Sequence, residues 1–203
     1  MGSGAPIRPN VFHPWNNGGP DGSRQPKCSA MSSDRQLIPL SIAVLTVSDS
    51  RVESNDTSGH TLVERIEAAG HRVAEKTIVT DDIYQIRATI SRWIADDQIQ
   101  AVVSTGGTGV TGRDGTPEAV APLLDKVIDG FGEMFRHISW EQIRTSTIQS
   151  RCVAGVANGT YLFVLPGSSG ACRTGWDELI VHQLDYRTRP CNLVELMPRL
   201  REK

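Results

Sequence analysis

Across 203 residues the chain has no apolar run approaching the ~20 residues needed to cross a bilayer, which excludes a transmembrane helix. Its first residues also lack the apolar core of a signal peptide, so the expected setting is soluble and cytoplasmic. Positive charge is not in excess: 21 Lys and Arg stand against 23 Asp and Glu, a formal net charge of −2. Neither a nucleic acid nor an anionic membrane surface is therefore an expected partner. An anionic substrate would have to be caught locally, by backbone amides, a few cations or a metal. The cysteines at 28, 152, 172 and 191 form no close pair and no Cys/His cluster at zinc spacing. They are expected to be free thiols behaving as small buried hydrophobes. The five histidines show no triad or ligand spacing.

Residues 1–38 read as a flexible tail, because five of the eleven prolines fall between Pro6 and Pro26 among glycines, asparagines and serines. Residues 39–203 read as one α/β domain, long enough to bury roughly two-thirds of its extended-chain surface. The apolar run from Ser41 to Val47 predicts a strand buried on both faces. Asp56-Thr57-Ser58 offers N-cap candidates for a helix ending at Gly70, a C′ glycine. A second strand is expected over Val73 to Val79. Asp81-Asp82 precedes a helix with Ile83, Ile86, Ile90, Trp93 and Ile94 on one stripe. A third strand, Ala101 to Ser104, runs straight into Thr105-Gly106-Gly107-Thr108-Gly109. Thr116 is expected to cap the next helix, with Pro117 at its first position. Another helix should cover about Phe131 to Ile143. Two strands, Cys152 to Val156 and Tyr161 to Leu165, flank Asn158-Gly159, a strong hairpin signal. A last helix is expected from about Ser169 to Leu184. The alternation predicts a three-layer α/β/α domain with a mostly parallel central sheet and a hairpin towards its C-terminal side.

The loop after the third strand holds the most chemical information. Glycines at 106, 107 and 109 permit positive φ angles and aim successive N–H groups at an anion. Alone, such a turn is as consistent with an ordinary glycine turn as with a phosphate cradle. It lacks the Lys-Ser/Thr of a Walker A loop and the spacing of a dinucleotide fingerprint. Arg113-Asp114 follows closely, placing a candidate phosphate-binding cation and a carboxylate beside the expected phosphate site. A carboxylate beside phosphate needs a divalent cation between them, a common role of Mg²⁺. Asp114 is thus a candidate metal ligand or the group orienting the attacking phosphate. Asp81-Asp82 opens onto the same edge of the sheet. Helix capping is the ordinary reading of that pair; with Asp82 as the cap, Asp81 stays free. Ser48 and Asp49 end the first strand there, and Pro166-Gly167-Ser168 follow the last, offering further amides and hydroxyls to a phosphate or a pterin edge.

Thr105 to Gly109 followed by Arg113-Asp114-Gly115-Thr116-Pro117-Glu118-Ala119 resembles the molybdopterin-binding family. That family includes bacterial molybdopterin adenylyltransferases and domains of plant and animal cofactor-assembly proteins. Gly130 to Arg136 matches its next block and Ser150-Arg151 the one after, and the likeness extends from about Leu40 to Leu196. The resemblance implies that molybdopterin attacks the α-phosphorus of ATP, releasing pyrophosphate, with Mg²⁺ as cofactor. The product, adenylyl-molybdopterin, would pass to the molybdenum insertion protein. It maps the nucleotide loop onto Gly106 to Gly109, the essential, metal-holding acids onto Asp81 and Asp114, and a Pro-Gly-Ser turn onto Pro166, Gly167 and Ser168. It also implies a homo-oligomer, a trimer or a hexamer, for which Phe131, Met134 and Trp140 are candidate contacts. A non-catalytic molybdopterin carrier with the same pocket is the competing reading, and a nucleotide-binding regulator the third.

Overall fold

The computed structural model describes residues 35–202. The expected tail lies outside the described residues for positions 1–34. At its inner end Arg35 is held against the body, donating to Tyr186 O at 3.1 Å and to the Glu195 carboxylate.

Six strands form one sheet in the order β2-β1-β3-β6-β5-β4. They are β1 (Ser41–Val47), β2 (Arg72–Val79), β3 (Ala101–Thr105), β4 (Lys126–Val127), β5 (Val153–Ala157) and β6 (Thr160–Leu165). β2, β1, β3 and β6 run parallel, and β5 pairs antiparallel with both β6 and β4. Side chains of β1 alternate between two cores, as its unbroken apolar run requires. Ile42 and Val44 pack with Leu62, Ile66 and Trp176, whereas Ala43, Leu45 and Val47 pack with Ile86, Ile90 and Trp93. Helices α1 (Thr57–Ala68) and α4 (Asp129–Ile143) cover the first face, and α2 (Ile83–Ile94) covers the second. The expected three layers are thus present. None of these helices is long and apolar enough to cross a membrane.

Local signals explain several boundaries. Asp56 accepts from Gly59 N at the start of α1, and Gly70 has φ +86°, the left-handed C′ position. Asp82 accepts from the Tyr84 and Gln85 amides, capping α2. Asn158 and Gly159 have φ of 47° and 81°, the two positive values a type I′ hairpin requires. Two expectations are corrected. The helix α3 (Thr116–Val120) begins one residue early: Gly115 is its N-cap and Pro117 its second residue. Thr116 is the first helical residue, its amide donates to Gly107 O at 3.0 Å, and no side chain caps the helix. The last helix is also not uniform. α5 (Ser169–Gly175) passes into a π-helical turn at Trp176–Ile180 before α6 (Val181–Gln183).

Four parallel strands place Val47, Val79, Thr105 and Leu165 at one edge of the sheet. The chain leaves β1 for β2 on one side and returns to β3 on the other. This reversal between β1 and β3 is the switch point at which open α/β sheets hold ligands.

Candidate functional site

A cleft of about 320 Å³ opens at that switch point. One wall is the end of β1, Thr46 to Ser48; the other is the turn Thr105 to Gly109, with Asp114 and Gly167 closing the sides. Gly106 and Gly107 adopt successive positive φ values of +104° and +61°. Space is as restrictive as torsion. A Cβ on Gly106 would sit 2.1 Å from Val47 O, and one on Gly107 would sit 2.3 Å from Thr116 Oγ1 and 2.9 Å from Asp81 Oδ2. Gly107→Ala is therefore expected to cost about 1–2 kcal/mol from the left-handed backbone alone. It should also push Asp81 from its place. Thermal unfolding reads the first effect as a fall of a few degrees; a parent-like melting temperature would contradict it.

Not every amide of the turn serves a ligand. Gly106 N donates to Leu165 O at 3.1 Å, and the Asp114 carboxylate lies close against Gly109. Gly107 and Thr108 are the turn's candidate amides for an anion. Thr105, 0% exposed, donates its hydroxyl to Pro166 O at 2.9 Å, tying β3 to the Pro-Gly-Ser turn. Gly167 reaches the cleft, whereas Ser168 uses its hydroxyl oxygen to cap α5 by accepting from Ala171 N. Ser48 lines the cleft and also accepts from the Ser50 and Arg51 amides.

Three carboxylates surround the loop. Asp81 accepts from Gly115 N at 3.2 Å. Its burial, and then the charges of Asp114 and Asp49, push its pKa up, against the opposing Gly115 hydrogen bond. Asp114 accepts from Thr111 Oγ1 at 2.6 Å and Thr111 N at 2.9 Å, and these bonds hold its pKa down. Asp49 accepts a bidentate pair from Arg113, at 3.0 Å and 2.6 Å on one oxygen and 2.7 Å on the other, which lowers its pKa. It also accepts from Asp81 N at 3.1 Å. The structure thus brings Asp49, Asp81, Arg113 and Asp114 to one rim, with Arg113 neutralised by Asp49 where a phosphate-binding cation was expected.

Two groups of functional residues were missed in the sequence. Arg151 donates to the carbonyls of Thr108, Gly109 and Asp114 and pairs with Glu118. Behind the cleft lies Asp56, 0% exposed, which accepts from Thr46 Oγ1 at 2.8 Å and pairs with Lys76 at 2.9 Å. Thr46 and Ser58, whose hydroxyls both face Asp56, line the cleft. Ser150-Arg151 was visible as a motif, but only the fold shows which backbone it touches.

The chain belongs to the molybdopterin-binding family: the family pattern described as "Probable molybdopterin binding domain" matches residues 43–186. Within that family it is similar to molybdenum cofactor biosynthesis protein B. It is 56% identical over 157 residues to that protein from Escherichia coli (strain K12), covering 77% of this chain and 92% of the relative. The Bacillus subtilis (strain 168) protein is 41% identical over 147 residues, covering 72% and 86%. A crystal structure of molybdenum cofactor biosynthesis protein B superimposes with a TM-score of 0.72 at 40% identity, covering 74% of this chain and 94% of that one. The tungsten cofactor synthesizing protein MoaB of Pyrococcus furiosus gives 0.64 at 34%, covering 70% and 91%.

Proposed function

We propose that the protein acts in molybdenum cofactor biosynthesis by adenylylating molybdopterin with Mg-ATP. Family membership and the names of its relatives support the pathway and molybdopterin as the partner. The observation that carries the reaction is the placement of Asp81 against Gly107 and Asp114 against Gly109 of one glycine turn at the β1/β3 switch point. In the proposed reaction a terminal phosphate oxygen of molybdopterin forms a bond to the α-phosphorus of ATP. The bond from that phosphorus to the pyrophosphate oxygen breaks, and pyrophosphate leaves. The nucleophile already lacks a proton, so the chain positions reactants and balances charge, and no general base is assigned.

The acids fit Mg²⁺ in the chemistry of their donors. Hard carboxylate oxygens stand beside a phosphate-sized turn, and burial and mutual repulsion disfavour the charge on Asp81. Among the described residues no cluster of three His, Cys, Asp or Glu side chains could cage a metal alone. An ion arriving with the nucleotide would be held by one or two carboxylates and by phosphates. Bound there, Mg²⁺ would offset the phosphate charge beside Asp81 and Asp114.

One observation favours the carrier reading: Asp114 is satisfied within its own loop and Arg113 by Asp49, so neither stands free. Purified protein with molybdopterin, ATP and Mg²⁺ separates the two. Adenylylation yields pyrophosphate and adenylyl-molybdopterin together, whereas a carrier retains the pterin and yields neither.

We further propose self-association, as a trimer or a hexamer, through α4 and the turn after it. Met134, Trp140, Ile143 and Ile148 are 43–74% exposed there, a costly surface for a monomer. Phe131, expected at the contact, is instead buried in the protomer's core at 8% exposure. Light scattering should return a mass of three or six chains; a monomer would contradict it. Delivery of the product to a molybdenum insertion protein completes the proposed role.

A further inference from the structure

Arg151 lies just before β5, yet it reaches back to three carbonyls of the loop carrying the acids. Its Nε–H is shared by Thr108 O at 3.2 Å and Gly109 O at 2.8 Å, and an Nη2–H binds Asp114 O at 2.9 Å. Glu118 pairs with the guanidinium and fixes its orientation.

The consequence follows from peptide geometry. The one cis peptide among the described residues is Arg189-Pro190, so the Thr108-Gly109 and Asp114-Gly115 peptides are trans. In a trans peptide the C=O and N–H point in opposite directions across one rigid plane. Holding Thr108 O therefore directs Gly109 N–H away from Arg151, and the Asp114 carboxylate lies close against Gly109. Holding Asp114 O directs Gly115 N–H away, and it donates to Asp81 Oδ1 at 3.2 Å. One planar guanidinium thus grips the carbonyl faces of two peptides whose N–H faces meet the two acids.

We infer that Arg151 is a positioning residue that sets the orientation of both Asp81 and Asp114 through these two peptide planes. The inference rests on the reading that the two acids serve the reaction, but its test does not. A lysine would keep the charge without the fork that reaches three carbonyls. A methionine would remove charge and donors together.

The test compares parent, Arg151→Lys and Arg151→Met without ligand, following the Gly109 and Gly115 amide resonances and their exchange with solvent. Both resonances are expected to move upfield, and both amides to exchange about tenfold faster or more, as the carboxylates facing them move away. Unmoved Gly109 and Gly115 signals in a folded variant would overturn the inference. Should Arg151→Met not fold, the Lys variant carries the comparison. A merely structural role would lower the melting temperature without singling out these two amides. If the parent adenylylates molybdopterin, kcat in the Lys variant should fall by about tenfold to a hundredfold with KM for ATP nearly unchanged. Methylguanidine should restore part of the activity of Arg151→Met. A parent that makes no product would defeat the adenylylation reading and leave the amide result standing.

Discussion

Asp81→Asn and Asp114→Asn are each expected to slow pyrophosphate release by about a hundredfold or more, the range found when one charge-stabilising group is removed from such a site. Each change keeps the shape of the side chain and deletes its charge, so pterin retention should survive. The two variants should differ in stability. Asp81 is half-buried beside Asp114 and Asp49, and its pKa is raised in the folded state. For such an acid the folded state binds more protons than the unfolded chain, so stability falls as pH rises from the ordinary value through the raised one. At neutral pH the ionised group is a burden, and Asp81→Asn should melt no lower than the parent. Asp114 has the opposite sign. Its pKa is lowered by Thr111, so its ionised form adds stability above the ordinary value and loses it as pH falls through the lowered one. Asp114→Asn should therefore melt slightly lower. Pyrophosphate kinetics and thermal unfolding check both; near-parental turnover in either variant would remove that acid from the site.

Lys76→Met is expected to cost about 3 kcal/mol, because it leaves the Asp56 carboxylate buried without its counter-charge. In a domain of this size that corresponds to a fall in melting temperature of about 6–12 °C. Burial alone would raise the Asp56 pKa, but the Lys76 ion pair and the bonds from Gly59 and Thr46 bring it below the ordinary value. The pair's stabilisation is thus present above the unfolded carboxyl's pKa and lost as pH falls through the folded one. The gap between parent and variant should narrow in acid. Adding Asp56→Asn to Lys76→Met should recover part of the loss, since no charge then remains buried. A single variant melting within 2 °C of the parent, about the least expected of even a 1 kcal/mol loss, would show that Asp56 is served by its other donors. The pair also matters to the site, because Asp56 holds the hydroxyls of Thr46 and Ser58 in the cleft wall.

Much of this architecture was legible because its signals are local. The apolar run of β1, the Asp82 cap, Gly70 and Asn158-Gly159 each state a conformation within a few residues. The glycine turn was legible as a tight turn at the end of a buried strand, and Asp81 and Asp114 met beside it because parallel strands share an edge. What stayed hidden depends on partners far along the chain. Lys76 reads as an ordinary strand lysine until β2 sets it beside Asp56. Arg113 reads as an unpaired cation until Asp49, 64 positions away, accepts it. Arg151 reaches carbonyls 37 to 43 positions back. The two-residue strand β4, Lys126–Val127, is too short and too exposed to leave a periodic trace. Thr116 misled because it is a good cap by type, whereas Gly115 takes the N-cap position and Thr116 begins the helix.

The most direct test of the central claim follows the label of [α-³²P]ATP in the presence of molybdopterin and Mg²⁺. The adenylylation reading predicts that the label moves to the pterin in a one-to-one ratio with pyrophosphate released, and that a chelator stops both. Molybdopterin held tightly while all the label stays in ATP would contradict it, and would make the protein a carrier built on the same cleft.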